Sequence, residues 1–490
     1  MDQHIVIVGG GLAGLSAGCY ARANGFRATI LEHNLALGGV CTAWQRGDYV
    51  VDGCIHWLTG GPFMRLYEEL GIVPQVELRT IEHMLTWRDA KSGAEVRVTR
   101  DLDALARALE TIAPGDATEI ARIVEGARRF ASTTPPGLER PMELTTLRQQ
   151  VQMFWDMKDS LTTFVHFRKS IATWTREHVR DQTLRRFLSG LVPSEAPALF
   201  LLMVFGYLER GYLSRPVGGT ARFRDALIAE YERLGGEART HATVDEILVD
   251  DGKASGVRLA DGSMIAADAV VSTSSAPETV LRLLGGRFDA ADTRHRMEHW
   301  KMFQPIVLAS FGVDASPAGV PGMLLVDHVE PYEVGGVTSD HLYLRVCNDD
   351  ASLAPAGHSV IQAMLATDYA WWAKQGSSYN AAKERVAEIA LAQIEKVLPG
   401  TRDRVRMTDI VTPLTYWSMA RSWRGAYEGW MPNADSLFGR VKKTLSGLER
   451  FVMAGQWVEP GGGVPTAIMS GRQAIQLLRA NEETFAVPVR

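Results

Sequence analysis

The feature that most constrains this chain is a short glycine pattern directly after its first apolar run. Residues 5–8 read Ile-Val-Ile-Val, which is typical of a buried strand, and the next six residues are Gly9-Gly10-Gly11-Leu12-Ala13-Gly14. Apolar residues then recur at helical spacing over residues 13–24, and residues 28–31 are apolar again. The sequence therefore predicts a strand, a helix and a second strand, with a Gly-x-Gly-x-x-Gly turn that binds the phosphates of a dinucleotide.

Each glycine of this pattern has its own physical role. Gly9 allows the tight turn, Gly11 lets a pyrophosphate approach the backbone, and Gly14 lets the helix pack closely on the strand. The amino end of the helix, at Leu12 and Ala13, presents free N–H groups and a partial positive charge to the phosphates. The alternative is a glycine-rich turn with a structural role only.

Two further features complete the predicted dinucleotide site. Glu32 ends the second strand, where its carboxylate can accept hydrogen bonds from the adenosine ribose, and His33 beside it is included in the site. The fingerprint alone does not separate FAD from NAD. Gly38-Gly39 favours FAD, because a second glycine pair lets the chain wrap the flavin side of the dinucleotide.

Size, charge and cysteine content exclude several classes of protein. At 490 residues, with 46% hydrophobic and 22% charged residues, the chain is too long for one ordinary core and predicts two domains. The formal net charge is −5 and Lys and Arg are spread along the chain, so we expect no nucleic-acid partner. The four cysteines show no Cys-x-x-Cys spacing and no Asp-rich or His-Glu-x-x-His cluster stands out, so neither a metal site nor a disulfide framework is expected.

Two features of the sequence bear on where the protein is located in the cell. No charged, apolar and small-residue series typical of an export signal precedes the first strand, so we expect a cytoplasmic protein. Residues 196–207 form the longest uncharged apolar run, which is shorter than the roughly 20 residues that a bilayer-spanning helix needs. This run leaves open a peripheral contact with the inner face of a membrane.

The pattern along the chain predicts an α/β protein whose cofactor domain is discontinuous. Helical spacing and aromatic residues dominate residues 154–212, whereas Asp251-Gly252 and Asp261-Gly262 are strong hairpin signals before a buried strand at 269–272. We therefore predict a Rossmann-like FAD-binding domain and a second mixed α+β, partly helical, substrate domain. The FAD-binding domain comprises residues 1–78, 215–290 and 411–490, and the substrate domain comprises residues 79–214 and 291–410.

A second glycine-rich patch lies near the end of the chain. Gly461 to Gly463 permit a close turn, and Pro465 suits the first turn of a helix that begins at Val464. If the amino end of that helix meets the N1–C2=O edge of a flavin, its dipole stabilises the anionic reduced ring. A plain Gly-Pro loop that starts a surface helix is the alternative.

At these positions the sequence resembles the flavin amine oxidase and phytoene desaturase superfamily. The resemblance is carried by the opening fingerprint, by residues 38–44 and 49–57, by residues 243–247 with 268–272, and by residues 451–478. It is greatest to the branch of carotenoid cis-trans isomerases and retinol saturases, and it implies a glutathione-reductase-like FAD domain. Residues 80–213 carry no resemblance that can be aligned residue by residue.

The resemblance assigns roles to particular residues. It implies that Thr42 and Gly455 contact the cofactor and that the backbone at Val244 meets the adenine. Many members of the superfamily carry Arg directly after the glycine pair, where this chain has Val40, and this difference argues against an ordinary amine oxidase. Residues 424–427 resemble the loop near the flavin ring in the isomerase branch, which implies a catalytic position for Tyr427.

The residues themselves offer few candidates for catalysis. No Ser-His-Asp order is present, so the flavin is expected to supply the chemistry, with a nearby acid or base to handle the proton. His56 and Glu459 are the titratable residues closest in sequence to the flavin patches. A packed histidine and a structural glutamate are the alternatives for these two positions.

The leading hypothesis is an FAD-dependent oxidoreductase that adds or removes hydrogen across a C–C bond of an apolar polyene or isoprenoid by hydride transfer at flavin N5. A redox-neutral cis-trans isomerase, a flavin amine oxidase and a non-catalytic lipid carrier of the same fold remain as alternatives. The sequence shows no second Gly-x-Gly-x-x-Gly between a strand and a helix, so it does not predict a resident NAD(P)H domain. We therefore expect an external electron acceptor or donor. The many Trp, Phe and Met residues of the second domain fit either a substrate tunnel or a core.

Overall fold

The computed structural model describes residues 3–156, 161–317, 319–348, 350–432, 441–480 and 484–488. The strands are β1 His4–Val8, β2 Arg27–Leu31, β3 Ala43–Arg46, β4 Tyr49–Asp52, β5 Leu58–Thr59, β6 Leu78–Thr80, β7 His83–Asp89, β8 Glu95–Thr99, β9 Leu213–Pro216, β10 Glu237–Arg239, β11 Val244–Asp250, β12 Lys253–Leu259, β13 Met264–Ala266, β14 Ala269–Ser272, β15 Ile306–Val313, β16 Met323–Val334, β17 Val337–Cys347, β18 Ser359–Ala366, β19 Val405–Val411 and β20 Phe451–Met453.

The α-helices are α1 Leu12–Ala23, α2 Met64–Glu69, α3 Ile72–Gln75, α4 Leu102–Ile112, α5 Ala117–Phe130, α6 Leu147–Asp156, α7 Leu161–Phe167, α8 Ile171–His178, α9 Gln182–Leu191, α10 Leu199–Glu209, α11 Gly219–Arg233, α12 Ala290–His299, α13 Tyr369–Ala373, α14 Tyr379–Val397, α15 Pro413–Ala420 and α16 Val464–Leu478. Short helical turns of other types are Gly61–Phe63, Pro114–Asp116, Met142–Leu144, Glu278–Leu283, Gly376–Ser378, Arg402–Arg404 and Trp423–Gly425.

The central element is a five-stranded parallel sheet in the order β10-β2-β1-β14-β20. Its middle strand is buried on both faces, because Ile5 and Ile7 join one core cluster while Val6 and Val8 join another. This explains the continuous apolar run at the start of the chain, since only a strand covered on both sides tolerates it. The sheet draws strands from the start, the middle and the end of the chain, so the predicted Rossmann-like fold is confirmed.

One face of this sheet is covered by helices that approach each other closely. The Ser16 hydroxyl of α1 donates to the Ile468 carbonyl of α16 at 2.8 Å. On the other side of α1, a Cβ added to Gly18 would lie 2.5 Å from the ring of Tyr231 in α11. The opposite face is covered by the three-stranded antiparallel sheet β11-β12-β13, whose Val257 shares a core cluster with Val6.

Both hairpins predicted from Asp-Gly pairs are present in that smaller sheet. Strands β11 and β12 pair antiparallel on either side of residues 251–252, and β12 and β13 pair on either side of residues 261–262. Asp251 and Gly252 both have positive φ, 44° and 73°, as a tight two-residue hairpin turn requires.

A separate seven-stranded sheet has the order β19-β15-β18-β17-β16-β7-β8. Its neighbours pair antiparallel except β16 and β7, which are parallel. It combines strands from residues 83–99 with strands from residues 306–411, and so a mixed α+β second unit is confirmed. The domain bounds given above remain a prediction.

The helical part of the chain settles two points that the sequence left open. Phe167, Trp174 and Phe205 are at most 2% exposed, so they belong to the core, while Met153 and Phe154 lie outside the described side chains. Residues 196–207 contribute to α10, most of whose residues are buried. A Cβ on Gly206 would lie 2.2 Å from the Ala127 carbonyl of α5, so this run packs against another helix and its expected contact with a membrane is wrong.

Candidate functional site at the carboxyl edge of the parallel sheet

The turn between β1 and α1 is shaped by two backbones in near contact. Gly9 has φ +98°, which favours glycine, and a Cβ on Gly14 would lie only 2.1 Å from the Gly9 carbonyl oxygen. The Gly38 N–H donates to the Gly10 carbonyl at 2.8 Å, so the second glycine turn is bound directly to the first. No residue with a side chain fits at position 14 without moving the helix.

The two glycine turns meet at the amino end of α1, and we call the region beside Gly11 and Gly39 the slot. A Cβ built on Gly11 would meet the Gly39 Cα at 3.8 Å, and one on Gly39 would meet the Gly11 Cα at 3.1 Å, so the two backbones are in contact here. Among the residues that the structure describes, no side chain caps α1, and its first turn at Leu12 and Ala13 contains no acidic residue. Uncapped N–H groups at a helix start are the arrangement that binds phosphate.

Glu32 is buried at the end of β2, beside this slot. Its Oε2 accepts from the Gly10 N–H at 2.8 Å, and its Oε1 accepts from the Asn34 N–H at 2.9 Å and lies 3.0 Å from His33 Nδ1. Burial opposes ionisation, but the hydrogen bonds from His33, Asn34 and Gly10 outweigh it and lower the pKa of Glu32. The bond to Glu32 in turn raises the pKa of His33. The carboxylate is therefore an anion fixed at the position predicted for the adenosine ribose.

The start of β11 lies against the same carboxylate segment. The Ala242 N–H donates to the Glu32 carbonyl at 2.8 Å, and Val244 is 5% exposed two residues further on. The predicted contact between the Val244 backbone and an adenine ring stays a prediction, but the strand is on the side of the slot that it requires.

A cation that sequence reasoning missed lies at the second glycine turn. Arg224 Nη1 donates to the Thr42 hydroxyl at 3.1 Å, and its side chain passes so close to Gly38 that a Cβ there would meet its Cδ at 2.5 Å. Arg224 belongs to α11, far along the chain, so no local motif could have indicated it. Arg224 therefore places a positive charge beside the turn at which this chain has Val40 and many members of the superfamily have Arg.

The C-terminal patch returns to the same slot. The Gly455 N–H donates to the Ser470 hydroxyl at 2.7 Å, and a Cβ on Gly455 would lie 3.9 Å from the Ala13 Cβ. Gly463 has φ +88° and precedes α16, which begins at Val464 with no side-chain cap in the described structure. The predicted start of α16 is confirmed. Its contact with the cofactor stays a prediction.

Val40 and Tyr427 are brought together in one apolar cluster. Both pack against the cluster formed by Ile306, Leu308, Val411 and Tyr416. The ring of Tyr427 also lies 5.7 Å from that of Phe303 in a T-shaped arrangement, and burial raises its pKa well above the usual range. Tyr427 therefore stays a neutral phenol at the boundary between the two units.

His56 lies in a polar part of the same cleft. Burial, followed by the charge of Arg345, lowers the pKa of His56 to about 3, so its ring is neutral at physiological pH. Arg215 Nε donates to the His56 carbonyl at 3.1 Å. The charges of Arg215 and Arg345 also lower the pKa of the buried Tyr343, whose net pKa burial raises.

An adjoining cavity of about 180 Å³ extends this polar region. It is lined by Ile55, Arg79, Thr80, Ile81, Glu82, His83, Arg215, Pro216, Val217, Gly219, Arg345 and Asp350. Its wall is polar and apolar in about equal parts, unlike the apolar cluster around Val40.

Glu459 is engaged in an ion pair. Its Oε1 lies 2.5 Å from Lys443 Nζ, a cation only 6% exposed that also lies 3.7 Å from Glu143. The Glu459 carbonyl accepts from the Gly462 N–H at 3.1 Å. Glu459 therefore stabilises the turn before α16, which agrees with the alternative of a structural glutamate.

The most unusual titratable group of the site is one that the sequence did not indicate. Glu428 lies beside the glycine turn before α16: a Cβ on Gly462 would meet the Glu428 Cβ at 2.9 Å, and one on Gly463 would lie 4.0 Å from its Oε1. Burial raises the pKa of the Glu428 carboxyl to about 8. Its neighbour Tyr427 was recognised from the surrounding motif, but only the folded chain shows that position 428 faces the start of α16.

Comparisons with known proteins agree with this geometry. Residues 12–478 match the family described as flavin-containing amine oxidoreductase. The chain is 26% identical to a phytoene desaturase (neurosporene-forming) of Rhodobacter capsulatus, over 96% of this chain and 93% of that protein. It is 25% identical to a 4,4'-diapolycopene oxygenase of a Methylomonas species, over 96% of this chain and 97% of that protein. The crystal structure of an oxidoreductase from Methanosarcina mazei has the same fold, with a TM-score of 0.67 at 17% identity, over 96% of this chain and 100% of that chain.

The Glu32 carboxylate provides a test of the cofactor site. We expect Glu32→Gln to weaken flavin binding by about ten- to a hundredfold, because a buried charged acceptor is replaced by an amide that cannot accept at both atoms. Titration of the apoprotein with FAD, followed by flavin fluorescence, measures the change. Glu330→Gln, at a surface carboxylate that pairs only with Lys396 among the described residues, is the control. Unchanged affinity in Glu32→Gln would contradict the assignment.

Proposed function

The chain belongs to the flavin-containing amine oxidoreductase family, and we propose that it is an FAD-dependent oxidoreductase that adds or removes hydrogen across a C–C bond of an apolar polyene or isoprenoid. The observation that carries this proposal is the uncapped start of α1 between the two glycine turns, with the buried Glu32 carboxylate bound to Gly10 beside it. The uncapped start of α16 and the apolar cluster around Val40 support it. A dinucleotide with a flavin at one end has matching phosphate, ribose and ring groups.

FAD fits the residues better than a shorter flavin. Glu32 and the start of β11 lie beyond the phosphate-binding turn, where an adenosine would use them and a mononucleotide would not. At the other end, the start of α16 supplies the positive dipole end for the flavin ring. Bound FAD supplies hydride transfer to or from its N5 atom.

The apolar cluster supports a hydrocarbon substrate. Val40 stands where many relatives in the superfamily carry Arg, and it packs with Leu308, Val411 and the ring of Tyr427. An apolar wall at this point excludes water and offers no partner to an amine, whereas it can hold a polyene by burial alone. The relatives named as a phytoene desaturase and a diapolycopene oxygenase are consistent with that substrate class.

Among the titratable groups of the cleft, Glu428 is the one that we propose to hold the proton. With a pKa of about 8, its carboxyl exchanges a proton near physiological pH, as an acid or base for this reaction requires. His56 stays neutral and serves to position the substrate, Tyr427 forms the wall of the cleft, and Glu459 positions the turn through Lys443.

The reaction can be tested directly with the purified protein. We expect anaerobic mixing of the FAD-loaded enzyme with an apolar carotenoid to bleach the oxidised flavin band and to yield a product that lacks two hydrogens. If the enzyme saturates instead, flavin reduced beforehand regains its band and the product carries two more. A product of unchanged mass that forms without net consumption of electrons would assign the protein to the isomerases. Bleaching by simple amines, followed by reoxidation of the flavin and release of hydrogen peroxide when air is admitted, would assign it to the amine oxidases.

Glu428→Gln tests the proton-holding role. We expect it to retain FAD and to lose about a hundredfold or more in turnover, the usual cost of removing a general acid or base. Glu459→Gln is the matched comparison, since it changes the other carboxylate beside the turn before α16. A larger loss in Glu459→Gln than in Glu428→Gln would contradict the assignment.

Stability of the apoprotein gives Glu428 a readout independent of activity. Its pKa is raised on folding from 4.5 to about 8, so its stabilising contribution is complete below the unfolded value and is lost as the pH rises through the folded value. Thermal unfolding should therefore show Glu428→Gln gaining stability over the wild type as the pH rises towards about 8. If the stabilities of the two proteins changed in parallel with pH, the pKa of Glu428 would be close to its usual value, and the prediction would be wrong.

Membrane contact belongs to the same proposal but to a different surface. None of the described helices is long and apolar enough to cross a membrane. Large apolar side chains nevertheless stand exposed at four-residue spacing on α6 and α7, which puts them on one face of each helix. They are Leu147, Val151, Trp155, Leu161 and Val165. We propose that this face docks on the inner surface of a membrane, from the cytoplasm, where an apolar substrate is dissolved.

The apolar face offers a matched pair of variants. We expect Leu147→Ser with Trp155→Ser to weaken binding to anionic liposomes, measured by co-sedimentation, by about a hundredfold, because burying each of the two side chains contributes about 1.5 kcal/mol. Leu35→Ser is the control, since Leu35 is 76% exposed and Leu147 is 77% exposed. Wild-type protein that stays wholly in the supernatant would overturn the membrane contact.

A further inference from the structure

Three helices outside the flavin site bring two imidazoles and one carboxylate together. Glu119 of α5, His166 of α7 and His178 of α8 each offer one ligand atom, and these atoms all lie within 4.8 Å of one another. From this cluster we propose that the protein binds one divalent transition-metal ion of the zinc type at Glu119, His166 and His178. Two histidines, one carboxylate and a water form a donor set that suits Zn²⁺.

The position of the cluster is set by a buried carboxylate one turn before Glu119. Asp116 is 4% exposed and accepts the N–H of Arg180 at 2.9 Å and the N–H of Asp181 at 2.8 Å. These bonds fasten the chain just after His178 to the start of α5. The backbone around Asp116 therefore holds the segments that carry Glu119 and His178 close together, independently of the side chains of those two residues.

The hydrogen bond between Arg122 and Glu119 leaves the other carboxylate oxygen of Glu119 for a metal ion. Arg122 Nη1 donates to Glu119 Oε2 at 2.9 Å, which fixes the carboxylate and leaves Oε1 turned toward His166 Nε2, its hydrogen-bond partner. An oriented carboxylate with one oxygen held by a neighbouring donor is the usual outer support of a metal site. On binding, the ion takes the place of that hydrogen bond, and His166 binds it as the neutral ring.

The surroundings are apolar on one side and open on the other. The His166 ring lies 4.7 Å from that of Phe167 and 6.1 Å from that of Trp174, whereas the His178 side chain is 33% exposed. Solvent therefore reaches the cluster from the side of His178, which provides a path for the ion and room for a water ligand.

The geometry needs only small side-chain movements. A tetrahedral zinc ion with bonds of about 2.0–2.2 Å holds its ligands about 3.4 Å apart. The three ligand atoms all lie within 4.8 Å of one another, and the rings of His166 and His178 are already tilted at 49° with centroids 4.5 Å apart. Changes of about an ångström at the histidine side chains complete the site.

The proposed site differs from the expectation from the sequence, which is that no metal site is present. Glu119 and His166 are 47 residues apart and follow no known ligand spacing, so no local pattern could reveal them. Helices α5, α7 and α8 must pack before the three side chains meet.

Metal content and stability test the site without reference to catalysis. The full-length protein, free of any histidine tag, is stripped with EDTA and titrated with Zn²⁺, and the visible bands of bound Co²⁺ report tetrahedral coordination. We expect one ion per chain, a rise in Tm on binding, and at least tenfold weaker binding with no rise in Tm in His178→Ala. Because His178 is partly exposed, this variant should fold, and retention of bound FAD confirms that it does.

Two other histidine variants make the result specific. His341→Ala, at a side chain that is 52% exposed and away from the cluster, should bind as the wild type does. His295 and His299 of α12 form a stacked pair with centroids 4.2 Å apart and are the competing location. Zn²⁺ binding that persists in His178→Ala and disappears in His295→Ala, or wild type that binds no ion, would overturn the proposal.

Discussion

The fold of this protein depends on how closely its backbones approach one another around α1. A Cβ at Gly14 would lie 2.1 Å from the Gly9 carbonyl, and one at Gly471 would lie 2.5 Å from the Ala13 carbonyl. The first contact seats α1 on β1, and the second seats α16 on α1. Both contacts are possible only with glycine. They bring α1 and α16 together beside the first glycine turn, and the slot lies there. The cofactor site is therefore a consequence of helix packing as much as of a loop motif.

A buried polar network carries this geometry into the rest of the cleft. Asp52 at the end of β4 accepts the Thr220 N–H at 2.8 Å and its hydroxyl at 2.5 Å, and Thr220 in turn accepts the Ile55 N–H at 2.9 Å. Arg345 lies 3.5 Å from the same carboxylate. These bonds join α11 and the seven-stranded sheet to the segment that carries His56. They also place cationic charge beside the ring, which together with burial keeps His56 neutral.

One departure from the family pattern, at Val40, and two charged or titratable side chains, Arg224 and Glu428, shape the chemistry that we propose. Val40 replaces a cation by an aliphatic side chain, and Arg224 of α11 brings a positive charge to the other side of the same glycine turn. Glu428 stands beside the start of α16, where the helix dipole favours the anion while burial favours the neutral acid. Burial is the effect that raises the pKa of the Glu428 carboxyl to about 8, so this property depends on the surroundings of the side chain and not on its residue type.

The sequence by itself determined the elements whose signals are local. The glycine turn between β1 and α1, the Asp-Gly hairpins at 251–252 and 261–262, and the start of α16 at Val464 were all predicted, because each depends on residues adjacent in the chain. The flavin family also followed from such motifs. Tertiary structure alone decided which distant side chains meet. It put Arg224 beside Thr42, Glu428 beside Gly462, and Glu119 beside two histidines, and it buried the apolar run of α10 against α5. The hydropathy of a segment indicates that it is buried, but it does not indicate which element packs against it. The pKa of a side chain depends on neighbouring groups that are brought near only by folding.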